Sequence, residues 1–182
     1  MNDKKTKRIS KFLSYVLRHH PESIGLKLDR NGWANVEELI QKSTVENLVF
    51  IKEDLHHIVE TNDKRRFSFN EDKTLIRANQ GHSIAVDLGY QAIEPPSLLF
   101  HGTAARNLPS IFAQGLKRGQ RHHVHLTDNF ETARNVGLRY GRPVILHVDS
   151  GSMAKDNFSF FRSDNGVWLT EHVPPRYLRE DV

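Results

Sequence analysis

The chain contains no cysteine among its 182 residues. That excludes disulfides and thiolate metal sites, and it leaves the redox compartment unreadable. Long apolar runs are absent too: nothing approaches the roughly 18 to 20 residues a membrane-spanning helix needs. The opening "MNDKKTKRIS" is basic, but it leads into an amphipathic segment and not into the apolar core of a signal peptide. There is no internal repeat, no low-complexity segment and no His-Glu-x-x-His helix pattern. A cytoplasmic protein with no membrane partner is the expectation.

What is present is ordinary in bulk, with 37% apolar and 26% charged residues. The length suits one large domain or two small ones. A net charge of +4 and eleven histidines are compatible with a nucleic-acid partner without requiring one.

The spacing of Ile9, Phe12, Leu13, Val16 and Leu17 predicts a helix that ends at Pro21, with Arg18, His19 and His20 in its last turn. Next come a turn at Asn31-Gly32 and a helix capped by Asn35, with Glu38 three residues on. Leu48, Ile51, Leu55, Ile58 and Val59 predict a third helix. "RRFSF", "NEDK" and "TLIRA" read as a hairpin. Three helices closed by a hairpin is the outline of a winged helix, an outline shared by many small α+β units.

Pro95 and Pro96 in "QAIEPPS" mark a linker. Beyond it, "LLFHGT" reads as a buried strand running into a glycine turn, and "AARNLPSIFAQGL" as a helix closed by Gly115. "HVHLT" reads as a strand, "NFETARNVGLRYG" as a helix capped near Asp128 or Asn129, and "RPVILHVDS" and "GVWLT" as further strands. Two lobes follow, 1–93 and 97–182.

Most candidate functional residues also have ordinary explanations. Arg18 and His19 suit the negative end of a helix dipole. Lys64, Arg65 and Arg66 suit a solvated hairpin entry, and "NQGHS" suits a turn. His101 sits where a strand leaves the sheet beside Gly102, a place for close backbone approach. In "GQRHHVHLT" an extended backbone puts His123 and His125 on one face. A His-x-His pair can bind zinc, but it needs further ligands that the sequence does not offer nearby.

Taken in order, "SKFLSYVLRHHPE", "LDRNGWANVEELI", "DKRRFSF", "IRANQGHS", "LLFHGT", "RHHVHLT" and "NGVWLT" resemble the RNA 2′-phosphotransferase family. That family comprises the fungal tRNA-splicing enzyme and its bacterial relatives, and the likeness is to the compact bacterial form. It implies an α+β protein with an N-terminal winged-helix lobe that holds RNA. It also implies a C-terminal lobe like the ADP-ribosyltransferases that binds NAD⁺, with the active site in the cleft between the two.

The implied reaction removes an internal RNA 2′-phosphate. The phosphate displaces nicotinamide, giving ADP-ribosylated RNA; the 2″-hydroxyl then takes the phosphorus, releasing 2′-hydroxyl RNA and ADP-ribose 1″,2″-cyclic phosphate. No metal is needed, NAD⁺ is consumed, and a monomer is expected. The resemblance maps the family's catalytic set onto Arg18, His19, Arg66 and Arg121. Arg65 competes with Arg66, but the family pattern places its arginine directly before the phenylalanine, here Phe67. Arginines suit the task because they hold a phosphate dianion bidentately without losing charge, while His19 can move protons.

The resemblance also puts His101, Gly102 and Thr103 at NAD⁺, with Ser163, Asn165 and Val167 as further cofactor wall. The remaining histidines of "RHHVHLT" then become strand and cleft lining, and Arg139 and Arg142 solvated surface. Where protein-modifying relatives carry a catalytic glutamate near the last motif, this chain has Val167 and Trp168, with Glu171 beyond. That departure fits a phosphate that needs no carboxylate to activate it. Two other readings compete: an ADP-ribosyltransferase that caps terminal nucleic-acid phosphates, and a winged-helix binding protein without catalysis.

Overall fold

In the computed structural model, which describes residues 3–181, the apolar positions from Ile9 to Leu17 form the buried face of α1 (Asp3–Arg18). The chain divides into two units, Met1–Gly89 and Tyr90–Val182. Both mix helices with sheet, so the protein is α+β. No helix among the described residues is long and apolar enough to cross a membrane.

In the first unit, the side chain of Asp29 accepts from the backbone N–H groups of Asn31 and Trp33, closing the Asn31-Gly32 turn. A two-residue strand, β1 (Ala34–Asn35), leads into α2 (Val36–Lys42). Asn35 caps that helix by accepting the Glu38 N–H at 2.9 Å, an interaction worth about 1 kcal/mol. The third helix is shorter than the apolar spacing predicts. Asn47 adopts a left-handed conformation (φ 50°), which breaks the helical run, and α3 (Lys52–Thr61) begins only after Ile51. Ile51 is therefore an exposed cap residue, while Leu48 is buried from outside the helix.

The hairpin is β2 (Phe67–Phe69) against β3 (Leu75–Ala78), with Phe67 opposite Ala78, and β1 pairs on the other side of β3. The core joins α1 (Leu13, Leu17), α2 (Leu39), α3 (Leu55, Ile58) and the hairpin (Phe67, Ile76).

The second unit opens with residues of the Pro95-Pro96 segment tied into it: Ile93 N–H donates to the Phe160 carbonyl and Ser150 Oγ to the Pro96 carbonyl. Its elements are β4 (Leu99–Ala104), α4 (Leu108–Gln114), β5 (Leu116–Lys117), β6 (Val124–Leu126) and α5 (Phe130–Gly137). They continue with β7 (Pro143–Val148), α6 (Ser150–Lys155), β8 (Phe160–Arg162), β9 (Trp168–Thr170), β10 (His172–Val173) and β11 (Leu178–Glu180).

Antiparallel sheets β11-β7-β4 and β6-β9-β8 meet at a bridge between Phe100 and Thr127, and β5 pairs with β10. Leu99, Leu126, Leu146, Val148, Met153 and Trp168 are among the residues that fill the core. Asn129 caps α5 by accepting the Thr132 N–H at 2.8 Å.

Candidate active site

In the first unit, Arg18 is the last residue of α1, and His19 and His20 lie just beyond it. The Arg18 guanidinium carbon is 5.8 Å from the centroid of the Phe67 ring, within cation–π range. Arg66, directly before Phe67, is half-buried, and its Nη1 lies 3.4 Å from Asn62 Oδ1. Arg65 differs: it is exposed, with a left-handed φ of 40°. Arg18 and Arg66 thus lie at the start of β2, and His19 follows Arg18 at the end of α1.

One short segment holds all three. Asn79, just after β3, donates its backbone N–H to the Arg66 carbonyl at 2.9 Å and its side-chain amide to the Arg65 carbonyl at 2.7 Å. Four residues on, the Ser83 N–H donates to the Arg18 carbonyl at 2.9 Å. Ser83 Oγ lies 2.9 Å from His19 Nδ1.

In the second unit, His101 on β4 places Nδ1 3.0 Å from the His125 carbonyl. A carbonyl only accepts, so Nδ1 carries the proton and Nε2 the lone pair. Burial holds the His101 imidazole below its ordinary range; the His125 carbonyl opposes that shift and the Arg121 charge adds to it. The ring is therefore a neutral acceptor at neutral pH. His125, on β6, also reaches the other way: its Nδ1 is 3.2 Å from Arg121 Nη1. A guanidinium only donates, so this nitrogen accepts. Arg121 itself is exposed.

Thr103 is buried, and its Oγ1 accepts from Asn107 Nδ2 at 3.1 Å. Gly102 has a packing reason for being glycine. A Cβ there would sit 1.8 Å from the Ala133 carbonyl oxygen and 2.9 Å from Gly137 N, so β4 and α5 approach through the missing side chain. Ser163, Asn165 and Val167 form the β8–β9 turn. Ser163 Oγ accepts the Val167 N–H at 3.0 Å and donates to Asn165 Oδ1 at 2.7 Å. The Ser163 hydroxyl is thus used within the turn.

His123 packs on Phe161 at 5.3 Å between centroids, and burial lowers its pKa, with His122 and Arg118 adding to the effect and Glu171 opposing it. Arg139, Arg142 and Glu171 are exposed. Among the described residues, no three His, Asp or Glu side chains gather as a metal site requires.

The family model described as "RNA 2'-phosphotransferase, Tpt1 / KptA family" matches residues 4–172. The chain belongs to this family. It is 55% identical over 178 residues to a Flavobacterium johnsoniae protein named "Probable RNA 2'-phosphotransferase", covering 98% of each. Similar proteins of the same printed name occur in Acaryochloris marina (50% identical, 98% of each chain) and Streptomyces coelicolor (50% identical, 98% of this chain and 97% of the relative). The family resemblance read from the seven motifs is confirmed.

Set against RNA 2′-phosphotransferase expectations, the fold brings Arg18, His19 and Arg66 together in the first unit and links Arg121 to His101 through His125 in the second. Three connecting residues carry no role in the sequence reading. The sequence puts His125 with strand lining, and its alternation with His123 is the signal it offers. Asn79 and Ser83 lie in a motif that otherwise reads as a turn. Their hint was the density of hydrogen-bonding side chains in five residues.

Proposed function

We propose that the protein is an NAD⁺-dependent RNA 2′-phosphotransferase acting as a cytoplasmic monomer on RNA that carries an internal 2′-phosphate. When bound, NAD⁺ supplies the ADP-ribosyl group that the 2′-phosphate takes up with loss of nicotinamide; the adjacent 2″-hydroxyl then accepts the phosphate, leaving 2′-hydroxyl RNA and ADP-ribose 1″,2″-cyclic phosphate.

The observation that carries this reading is the first unit's set of Arg18, His19 and Arg66, held by the Asn79–Ser83 segment. Guanidiniums bind a phosphate dianion through charge-assisted hydrogen bonds and keep their charge at any relevant pH. Arg18 and Arg66 fill that role, with Arg121 as the second unit's arginine, and they stabilise charge on the phosphoryl oxygens as the phosphorus is attacked. His19 is the member of the set able to exchange a proton near neutrality. It activates the attacking hydroxyl or protonates the departing RNA oxygen, a contribution of roughly 10² to 10⁴ in rate.

On the NAD⁺ side, the residues fit unequally. The neutral His101, half-buried on β4, offers an acceptor at Nε2 for a hydroxyl or amide N–H, and Thr103 lies on the same face of β4. The resemblance assigns Gly102, Ser163, Asn165 and Val167 to the cofactor wall as well; Gly102 contributes through its close packing on α5, and the other three through the β8–β9 turn. We read the second unit as ADP-ribosyltransferase-like, on the support of two antiparallel sheets meeting beside His101. The first reads as a winged helix, from three helices and a hairpin. Exposed Lys4, Arg8 and Lys11 recur along one stripe of α1 and suit an RNA backbone.

The test is a single-turnover assay with RNA bearing one labelled internal 2′-phosphate, with and without NAD⁺. Label moving into the cyclic phosphate only with NAD⁺ is the expected result. Label halting on ADP-ribosylated RNA points to an end-capping transferase, and RNA bound but unchanged points to a binding protein.

A further inference from the structure

We propose that Ser83 is the positioning residue that sets the imidazole of His19 for proton transfer, with the Asn79–Ser83 segment as its brace. The proposal rests on the reading of His19 as the proton-moving group.

The brace is built from the main chain outward. Asn79 is buried, and its two hydrogen bonds pin the carbonyls of Arg65 and Arg66. His82, the residue before Ser83, is buried as well, with its ring beside Gly32. Ser83 then meets the end of α1 twice, by N–H to the Arg18 carbonyl and by Oγ to His19 Nδ1, each at 2.9 Å. One five-residue stretch therefore sets a common frame for the backbones of Arg18 and Arg66 and for the ring of His19. Placing catalytic groups to within fractions of an ångström is what such supporting bonds contribute.

The chemistry of the partner matters as much as its place. With Nδ1 bonded to Ser83, proton exchange with RNA falls to Nε2. A serine hydroxyl donates to Nδ1 when that nitrogen holds a lone pair and accepts from it when it holds a proton. The hydroxyl keeps its own proton throughout and needs only to rotate its O–H. The ring can thus be neutral or charged without losing the bond. A carboxylate in the same place would favour the imidazolium. A group that takes up a proton and later gives it back within one cycle is served better by serine.

The experiment uses the full chain in the single-turnover assay, with nicotinamide release reporting the first step and labelled cyclic phosphate the second. Ser83→Ala is expected to slow the second step roughly tenfold, the size of one lost orienting hydrogen bond. It should leave the first step and the KM for RNA within about twofold, because the Ser83 N–H still holds Arg18. Ser83→Thr should restore the rate, and Ser83→Ala should add nothing in a His19→Ala background.

A slow His19→Ala enzyme beside a Ser83→Ala enzyme of wild-type rate would overturn the positioning role alone. So would an equal loss from Ser83→Ala with and without His19, or a loss appearing in KM. A wild-type second step in His19→Ala would overturn the reading of His19 and the role of Ser83 with it.

Discussion

The two units hold their candidate residues by different means. In the first, the residues sit at element ends, and the backbone does much of the holding: the N–H groups of Asn79 and Ser83 fix the carbonyls of Arg66 and Arg18. In the second, His101 lies inside a strand and Arg121 in an exposed turn, and both depend on His125, one on its carbonyl and the other on its ring. Backbone bonds survive side-chain substitution. A strand interior packed against a helix does not tolerate new atoms, so the same kind of mutation should give activity defects in one unit and folding defects in the other.

Gly102→Ala is the largest effect expected. Its Cβ would meet the Ala133 carbonyl oxygen at 1.8 Å, which is backbone and cannot swing aside. Separating β4 from α5 should cost about 3 kcal/mol or more, read as a lower urea midpoint. Amide exchange should accelerate in β4 and α5 while α1 and the β2–β3 hairpin keep their protection. A normally stable Gly102→Ala protein would break the comparison.

Next come the neighbouring arginines of the first unit. Arg66→Ala should lower single-turnover rate by roughly 10² to 10³ with little change in stability, as loss of a charge-assisted phosphate contact does. Arg65→Gly should keep full activity, and it removes a left-handed backbone cost of about 1 kcal/mol. Equal losses from Arg65→Ala and Arg66→Ala would remove the distinction that burial and φ draw between them.

The helices and strands that carry these residues were legible where periodicity is strong. Ile9 to Leu17 spell out α1, Asn35 announces its cap, the cap of α5 falls on Asn129 of the two candidates Asp128 and Asn129, and "RRFSF…TLIRA" announces the hairpin. What periodicity missed has local causes. The left-handed Asn47 cut the third helix short, and strands of two or three residues such as β1, β5 and β10 are too brief to alternate. The family motifs named the candidate residues, but not the couplings between them. That His125 serves both Arg121 and His101, or that Ser83 meets both Arg18 and His19, is a matter of tertiary approach. The packing reason for Gly102 was equally hidden: the sequence suggests a strand that turns at this glycine, whereas β4 runs on to Ala104 with Gly102 paired to Ile145, and the missing side chain serves the approach of α5.

A smaller effect separates the two ways of holding an arginine. His125→Ala removes the acceptor for Arg121 Nη1, seen at 3.2 Å, and should cost about tenfold in turnover, partly restored in His125→Asn. Asn62→Ala removes the 3.4 Å contact to Arg66 Nη1, at the long edge of hydrogen bonding, and should cost less than about twofold because the Arg66 backbone stays fixed by Asn79. The reverse ranking would mean that side chains, not backbone, hold the first unit's site.

The smallest effect is a pH dependence of stability confined to the second unit. Burial keeps the His101 imidazole neutral in the fold, below the ordinary value near 6.5 that it regains when unfolded. Below that pH the unfolded chain binds a proton that the folded chain refuses, so His101 contributes stability that is present above about 6.5 and is lost as pH falls. His101→Asn keeps a donor for the His125 carbonyl but cannot titrate. Urea midpoints taken from pH 7.5 down to 5 should therefore fall more steeply for wild type than for His101→Asn, with the curves diverging only below about 6.5. Parallel curves would mean that His101 takes up its proton in the fold as readily as in the unfolded chain, so that burial does not keep it a neutral acceptor as pH falls below about 6.5.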